Sequence, residues 1–249
     1  MRKNSGLVNE DELIKAIDGK RFDELGKNLQ FNLKALFDEI DNDVFHAEKT
    51  DPAGKPDIKL TYHGIEHFMS VKSGAAEHIH SEEIKKFILT IRDKGISAKT
   101  QKTILKFQFG DGTLDGTGKI RMDYEHLYYK LKDEIALANI ELNQNKDFVV
   151  DMILKFIFFG NNTNIQPADC IYFGEPDYGV LATPKQITKH LQRKSYSYLN
   201  NLHIGPVLFA PRARYVNFVE RSPEQRYWVS FRWVRMERDL NYISRRYDD

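Results

Sequence analysis

The chain has 249 residues, 41% of them hydrophobic, a mean hydropathy of -0.54 and a net charge of +1, which bounds it to one large globular domain or two small ones. Its single cysteine, Cys170, excludes an internal disulfide framework and a cysteine-rich zinc site, and fits a reducing cytoplasm. No apolar run approaches the roughly 18 residues of a membrane span, and Met1-Arg2-Lys3 leads into Glu10-Asp11-Glu12 without the apolar core of a signal peptide.

In chain order, Leu13, Ile14 and Ile17 mark one face of a short helix over 10–19. Phe22, Leu25, Leu29, Leu33, Leu36, Phe37 and Ile40 recur at steps of three and four, which predicts a long amphipathic helix with Glu39 at its end. Residues 41–55 read as a polar loop that carries Glu48 and the turn signal Asp51-Pro52-Ala53-Gly54. Then Ile58, Leu60 and Tyr62 alternate with Lys59, Thr61 and His63, the period of a strand. Gly64 supplies a turn, and Ile65, Phe68 and Val71 restart the apolar run. Pairing about Gly64 puts Asp57 and Lys72 at the same open end of the hairpin. A carboxylate there takes a hard cation such as Mg²⁺, which lowers the pKa of a bound water. The ammonium orients that water and adds positive charge where a phosphodiester transition state is negative. The ordinary alternative is a surface ion pair of small value.

Beyond Ser73-Gly74-Ala75-Ala76, Ser81 is read as the cap of a helix with Glu82 and Glu83 in its first turn, and Ile84, Phe87, Ile88 and Ile91 as its buried face. Periodicity alone prefers Glu83 as the inward carboxylate. His63, His67, His78 and His80 cluster in sequence, but their mixed spacing does not make a zinc site; His80 is a candidate substrate contact. A helix over 98–107 precedes Gly110-Asp111-Gly112-Thr113-Leu114-Asp115-Gly116-Thr117-Gly118-Lys119. That run is neither a phosphate-binding loop, since Ile120 follows the lysine, nor a calcium loop, since Met122 stands where a ligand must. It is read as a surface loop open to a DNA-facing role. Helices over 123–143 and 147–159 follow, then a hairpin of 168–174 and 179–183 that extends the central sheet beside the first hairpin, then a helix opened by Pro184. Strands are expected at 205–209, 213–219 and 226–234. In the last, Tyr227, Val229, Phe231 and Trp233 take one face, and Arg226, Trp228, Ser230 and Arg232 the other.

Charge is divided unevenly. Residues 185–249 hold 13 Lys and Arg against 6 Asp and Glu, a balance of +7, which leaves -6 for residues 1–184. A basic C-terminal part on an acidic body suits a polyanion. Arg212, Arg214, Arg226 and Arg232 are residue types that contact phosphates and base edges. Basic edge strands also guard against aggregation.

Pro56-Asp57 and Ser70-Val71-Lys72 resemble the two halves of the PD-(D/E)xK nuclease superfamily, which includes many restriction endonucleases and junction resolvases. Serine stands where the second acid usually stands, a variant in which the carboxylate comes from the next helix, and the start Ile79-His80-Ser81-Glu82 favours Glu82. The resemblance covers roughly residues 35–95. It implies an α/β fold of mixed sheet flanked by helices, a restriction endonuclease-like core in a single domain with a catalytic part over 1–184 and a basic DNA-gripping part over 185–249. It further implies Mg²⁺ held by Asp57 and Glu82, a water oriented by Lys72, Ser70 in the acid's position, Glu39 as the extra carboxylate that an N-terminal helix of this family often lends, and cleavage of double-stranded DNA by a homodimer. A repair nuclease or junction resolvase on the same fold is one rival. A nucleic-acid-binding module without activity is the other.

Overall fold

The structure is a computed structural model that describes residues 5–73, 78–118, 121–161, 166–198, 201–212 and 223–246. In chain order its elements are α1 (Ser5–Ile17), β1 (Lys20–Arg21), α2 (Lys27–Leu33), β2 (Val44–Lys49), β3 (Ile58–Tyr62), β4 (Ile65–Lys72), β5 (His78–Glu83), α3 (Ile84–Asp93), α4 (Ala98–Phe109), α5 (Tyr124–Gln144), α6 (Lys146–Leu154), β6 (Cys170–Phe173), β7 (Val180–Ala182), α7 (Pro184–Arg193), β8 (His203–Ile204), β9 (Val207–Pro211), β10 (Trp228–Trp233) and α8 (Met236–Arg246). They form two compact units, neither continuous in sequence: residues 1–77, 154–193 and 235–249, and residues 78–153 with 194–234. None of the helices described is long and apolar enough to cross a membrane.

The first unit is a six-stranded sheet in the order β1-β2-β3-β4-β6-β7, antiparallel throughout except for the parallel pair β4–β6. The β3–β4 hairpin closes on His63-Gly64, whose φ values of 50° and 75° suit the primed two-residue turns that match strand twist. Ile58, Leu60 and Tyr62 point into the core, where they meet Leu13 and Ile17 of α1, Leu29 and Leu33 of α2, and Phe37. Phe45 stacks on Tyr62 at 4.1 Å and Phe37 meets both rings edge-on. Cys170 lies wholly buried in β6 and belongs to the same core.

Two expectations fail in this unit. The helix expected over 22–40 is only α2, preceded by a short 3₁₀ turn at Phe22–Glu24. Gln30 hydrogen-bonds back to the carbonyls of Phe22 and Leu25, so the stretch before α2 folds onto the helix rather than extending it. Buried Asn32 then donates to Gly179 O and accepts from Leu181 N, tying α2 to the edge of β7. The polar loop expected over 41–55 contains β2: Phe45 and Ala47 alternate inward, and the strand pairs with β3.

The second unit is an antiparallel sheet in the order β5-β10-β9-β8. Val229, Phe231 and Trp233 are buried. Phe231 meets Phe87 of α3 and Phe209 of β9 at 5.1 and 5.2 Å. The helix expected to start at Ser81 starts at Ile84, and Ser81, Glu82 and Glu83 end β5. They are held extended by pairing with Ser230, Val229 and Trp228. Ser97 and Asp123 cap α4 and α5 through their side chains. The strand expected over 213–219 lies outside the described residues. The strand expected to start at Arg226 starts at Trp228, because Pro223–Tyr227 forms a 3₁₀ turn.

Candidate active site

The hairpin register pairs Ile58 with Met69, and Asp57 N donates to Met69 O at 2.8 Å, so Asp57 sits opposite Ser70 at the open end. One carboxylate oxygen, Asp57 Oδ2, accepts from Val71 N at 2.6 Å, from Lys72 Nζ at 3.2 Å and from the buried Ser70 hydroxyl at 3.3 Å. Lys72 Nζ also donates to Val71 O at 2.8 Å, so the ammonium is held at two points. Asp57, Ser70 and Lys72 are therefore brought together on rigid strand backbone. Asp57 Oδ1 takes no hydrogen bond among the described residues.

A second carboxylate reaches this end of the sheet from α1. Glu10 is raised above the usual carboxylate range, first by burial and then by the negative charge of Asp57; Lys49 and Lys72 oppose the shift. Its Oε2 lies 4.0 Å from Lys49 Nζ, which binds Asp11 more closely at 2.7 Å. Glu10 was not singled out in the sequence, although a signal exists. It stands three and seven residues before Leu13 and Ile17, on the buried stripe of the helix. Glu39, the expected extra carboxylate, is instead exposed in the irregular stretch after α2. Glu48 is exposed on β2 and paired with Lys59 at 2.7 Å.

Lys55, two residues before Asp57, lays its stem across Gly160, where an added Cβ would meet the Lys55 side chain at 3.5 Å. Burial, and secondly the charge of Lys72, push its ammonium down to about 7, against the pull of Asp57. Gly160 ends a π-helical turn at Lys155–Phe159, a feature found often beside functional sites.

Among the described residues, no three His, Cys, Asp or Glu side chains are grouped so as to hold a metal ion unaided. Mg²⁺ does not need such a cage, because it keeps waters and takes one or two carboxylates plus substrate phosphates. Two half-buried carboxylates whose charges oppose each other, one with an open oxygen, fit that donor chemistry.

The remaining candidates lie in the second unit. Glu82 is 2% exposed on β5, and its Oε1 is 3.7 Å from His80 Nε2; the His80 ring stacks on Phe231. Arg226, expected on a DNA-facing strand, is spent inside the unit. Its guanidinium pairs with the fully buried Asp111 carboxylate and the Gly118 carbonyl. Asp111 also accepts from Thr113 N and Gly118 N, which makes the glycine-rich run a closed, Asp-centred loop. Arg212 bonds Ser81, Ser230 and Gln225. Arg232 is exposed on β10, and Arg214 lies outside the described residues. The four clustered histidines part company: His63 pairs with Asp41 and Asp43, His67 faces Asp169, His78 bonds Ser81, and His80 faces Glu82.

No family model matches the chain, and no curated protein matches it. Among solved structures, it is similar to the restriction endonuclease MspI in complex with its cognate DNA, with a TM-score of 0.51 and 14% identity over 91% of this chain and 88% of that one. The chain thus has a restriction endonuclease-like fold, a mixed sheet flanked by helices.

Proposed function

We propose that this protein is a Mg²⁺-dependent endonuclease that hydrolyses phosphodiester bonds in double-stranded DNA, of the restriction type and acting as a homodimer. The observation that carries the reading is the 3.2 Å approach of Lys72 to Asp57 beside the coupled Glu10 carboxyl, on a fold shared with a DNA-bound restriction enzyme. Asp57 and Glu10 would hold the metal, which when bound supplies a water of lowered pKa and offsets phosphate charge. Lys72, fixed by Asp57 and the Val71 carbonyl, orients the attacking water and presents its charge to the phosphate. Ser70 steadies Asp57 Oδ2 and is a poor metal donor.

Purified protein incubated with a random duplex library and Mg²⁺, followed by sequencing of the ends, tests this. Discrete cut sites are expected, with activity abolished by chelation and reduced about 10²–10³-fold in Asp57→Asn and Lys72→Met, the scale of losing a preorganised charge. Cutting that persists in Asp57→Asn overturns the assignment. Glu10→Gln and Glu82→Gln tested side by side decide which glutamate serves as the second carboxylate. Faster cutting of branched than of plain duplex DNA would favour a junction resolvase. One observation favours a binding module without activity: the buried Ser70 fills the position where the family places an acid. DNA binding that survives both substitutions, with no cutting by the wild type, would establish that reading.

A further inference from the structure

Arg212 differs from Arg226 in how it is held. Its Nε donates to Ser230 Oγ at 3.0 Å, one terminal nitrogen to Ser81 Oγ at 2.9 Å and the other to Gln225 Oε1 at 3.1 Å. The two serine hydroxyls are themselves 3.0 Å apart across the β5–β10 pair, and His78 Nε2 lies 2.9 Å from Ser81 Oγ. The guanidinium carbon sits 5.9 Å from the Trp228 ring centroid. The plane of the guanidinium is thus fixed by three neutral acceptors and an aromatic face. No carboxylate among the described residues pairs with it, whereas Arg226 spends its charge on Asp111.

Among the described residues the positive charge of Arg212 is thus uncompensated. Of the five guanidinium N–H donors, three are used, and each terminal nitrogen keeps one. A phosphate also accepts two donors from one guanidinium, but its contacts carry no sequence information and flexible surface arginines and lysines supply them equally. A guanidinium held in one plane with two donors left matches the paired acceptors O6 and N7 on the major-groove edge of guanine, the commonest specific arginine contact.

We propose that Arg212 reads a guanine in the target sequence, and that Ser81, Ser230 and Gln225 are positioning residues that set its plane. The inference rests on the DNA-cutting reading above. Removing a good bidentate contact weakens discrimination at its own base pair by about tenfold or more. Removing a phosphate contact weakens all sequences alike and lowers the salt slope by about one.

The test sequences the ends produced from a random duplex library by wild type, Arg212→Lys, Ser81→Ala and Gln225→Leu, with rates measured at several salt concentrations. The expected result is a wild-type motif with at least one required guanine. Arg212→Lys still cuts, but with discrimination at that position reduced tenfold or more, and the two positioning variants relax the same position to a smaller degree. A uniform loss of rate in Arg212→Lys with an unchanged motif overturns the inference and leaves the nuclease reading standing. Should Arg212→Lys fail to fold, an unchanged motif in both Ser81→Ala and Gln225→Leu overturns it equally. A wild type that cuts no DNA overturns both readings together.

Discussion

Folding raises the Glu10 carboxyl above its ordinary value, first through burial and then through the Asp57 charge. For an acid raised in the folded state, stability is fully present below the ordinary value of 4.5 and is lost as pH rises through the folded value. Glu10→Gln should therefore melt at a higher temperature than wild type at pH 7–8 without metal, and the gap should close near pH 4; calorimetry across that range measures it. The same variant should lose cutting activity, the usual trade of stability for function. The hairpin tip carries the opposite case. Asp41 is lowered to about 2, chiefly by the Tyr62 hydroxyl, with help from Asp43 N–H and His63; His63 is raised, chiefly by Asp41. A lowered acid contributes stability above its ordinary value, lost as pH falls through the folded one. A raised histidine contributes below its ordinary value, lost as pH rises through the folded one. Asp41→Asn should lower the melting temperature most near pH 5–6, between the two ordinary values of 3.8 and 6.5, and least near pH 2.

At the scale of elements, the β3–β4 hairpin was legible because Ile58, Leu60 and Tyr62 alternate without interruption and Gly64 marks the turn. β2 was equally periodic, with Phe45 and Ala47 inward, but acidic neighbours and the following Asp51-Pro52 masked it as a loop. The helix over 22–40 misled for a physical reason. Apolar spacing of three and four is shared by a helix and by a chain that turns repeatedly over one core, and Phe37 is buried without being helical. Close packing also fixes the β6–β7 connection. A Cβ on Gly179 would come within 2.3 Å of the Tyr172 ring, whose hydroxyl bonds the Glu175 and Pro176 carbonyls. Gly179→Ala should destabilise the protein by about 1–3 kcal/mol, read as a lower denaturation midpoint in urea at unchanged m-value.

For the whole molecule, strands whose partners lie close in sequence could be read, and the β6–β7 hairpin does extend the sheet beside β4, but the second sheet could not be read. β5 pairs Ser81 with Ser230, a partner far along the chain, so nothing local reveals that His78–Glu83 is a strand. Early acids beside an apolar stripe instead imitate a helix N-terminus. The charge division likewise spoke of residues 185–249 as one basic part, whereas these residues are shared between both units. The Asp57–Lys72 pairing was accessible because it depends on one local turn. The approach of Glu10 to the Asp57 charge depends on α1 packing on the sheet, and only its place on the buried stripe of α1 hinted at it. If the protein cuts duplex DNA as the homodimer proposed above, sedimentation with a short cognate duplex should show two protein chains per DNA.

Cys170 is wholly enclosed in β6, and burial raises it far above the ordinary thiol range, so neither thiolate nor access is offered to an alkylating reagent. Maleimide or iodoacetamide should modify the native protein only when the strand beside Lys72 opens. The labelling rate then serves as an intrinsic clock for that opening, and any metal or DNA that grips the hairpin should slow it in proportion to occupancy.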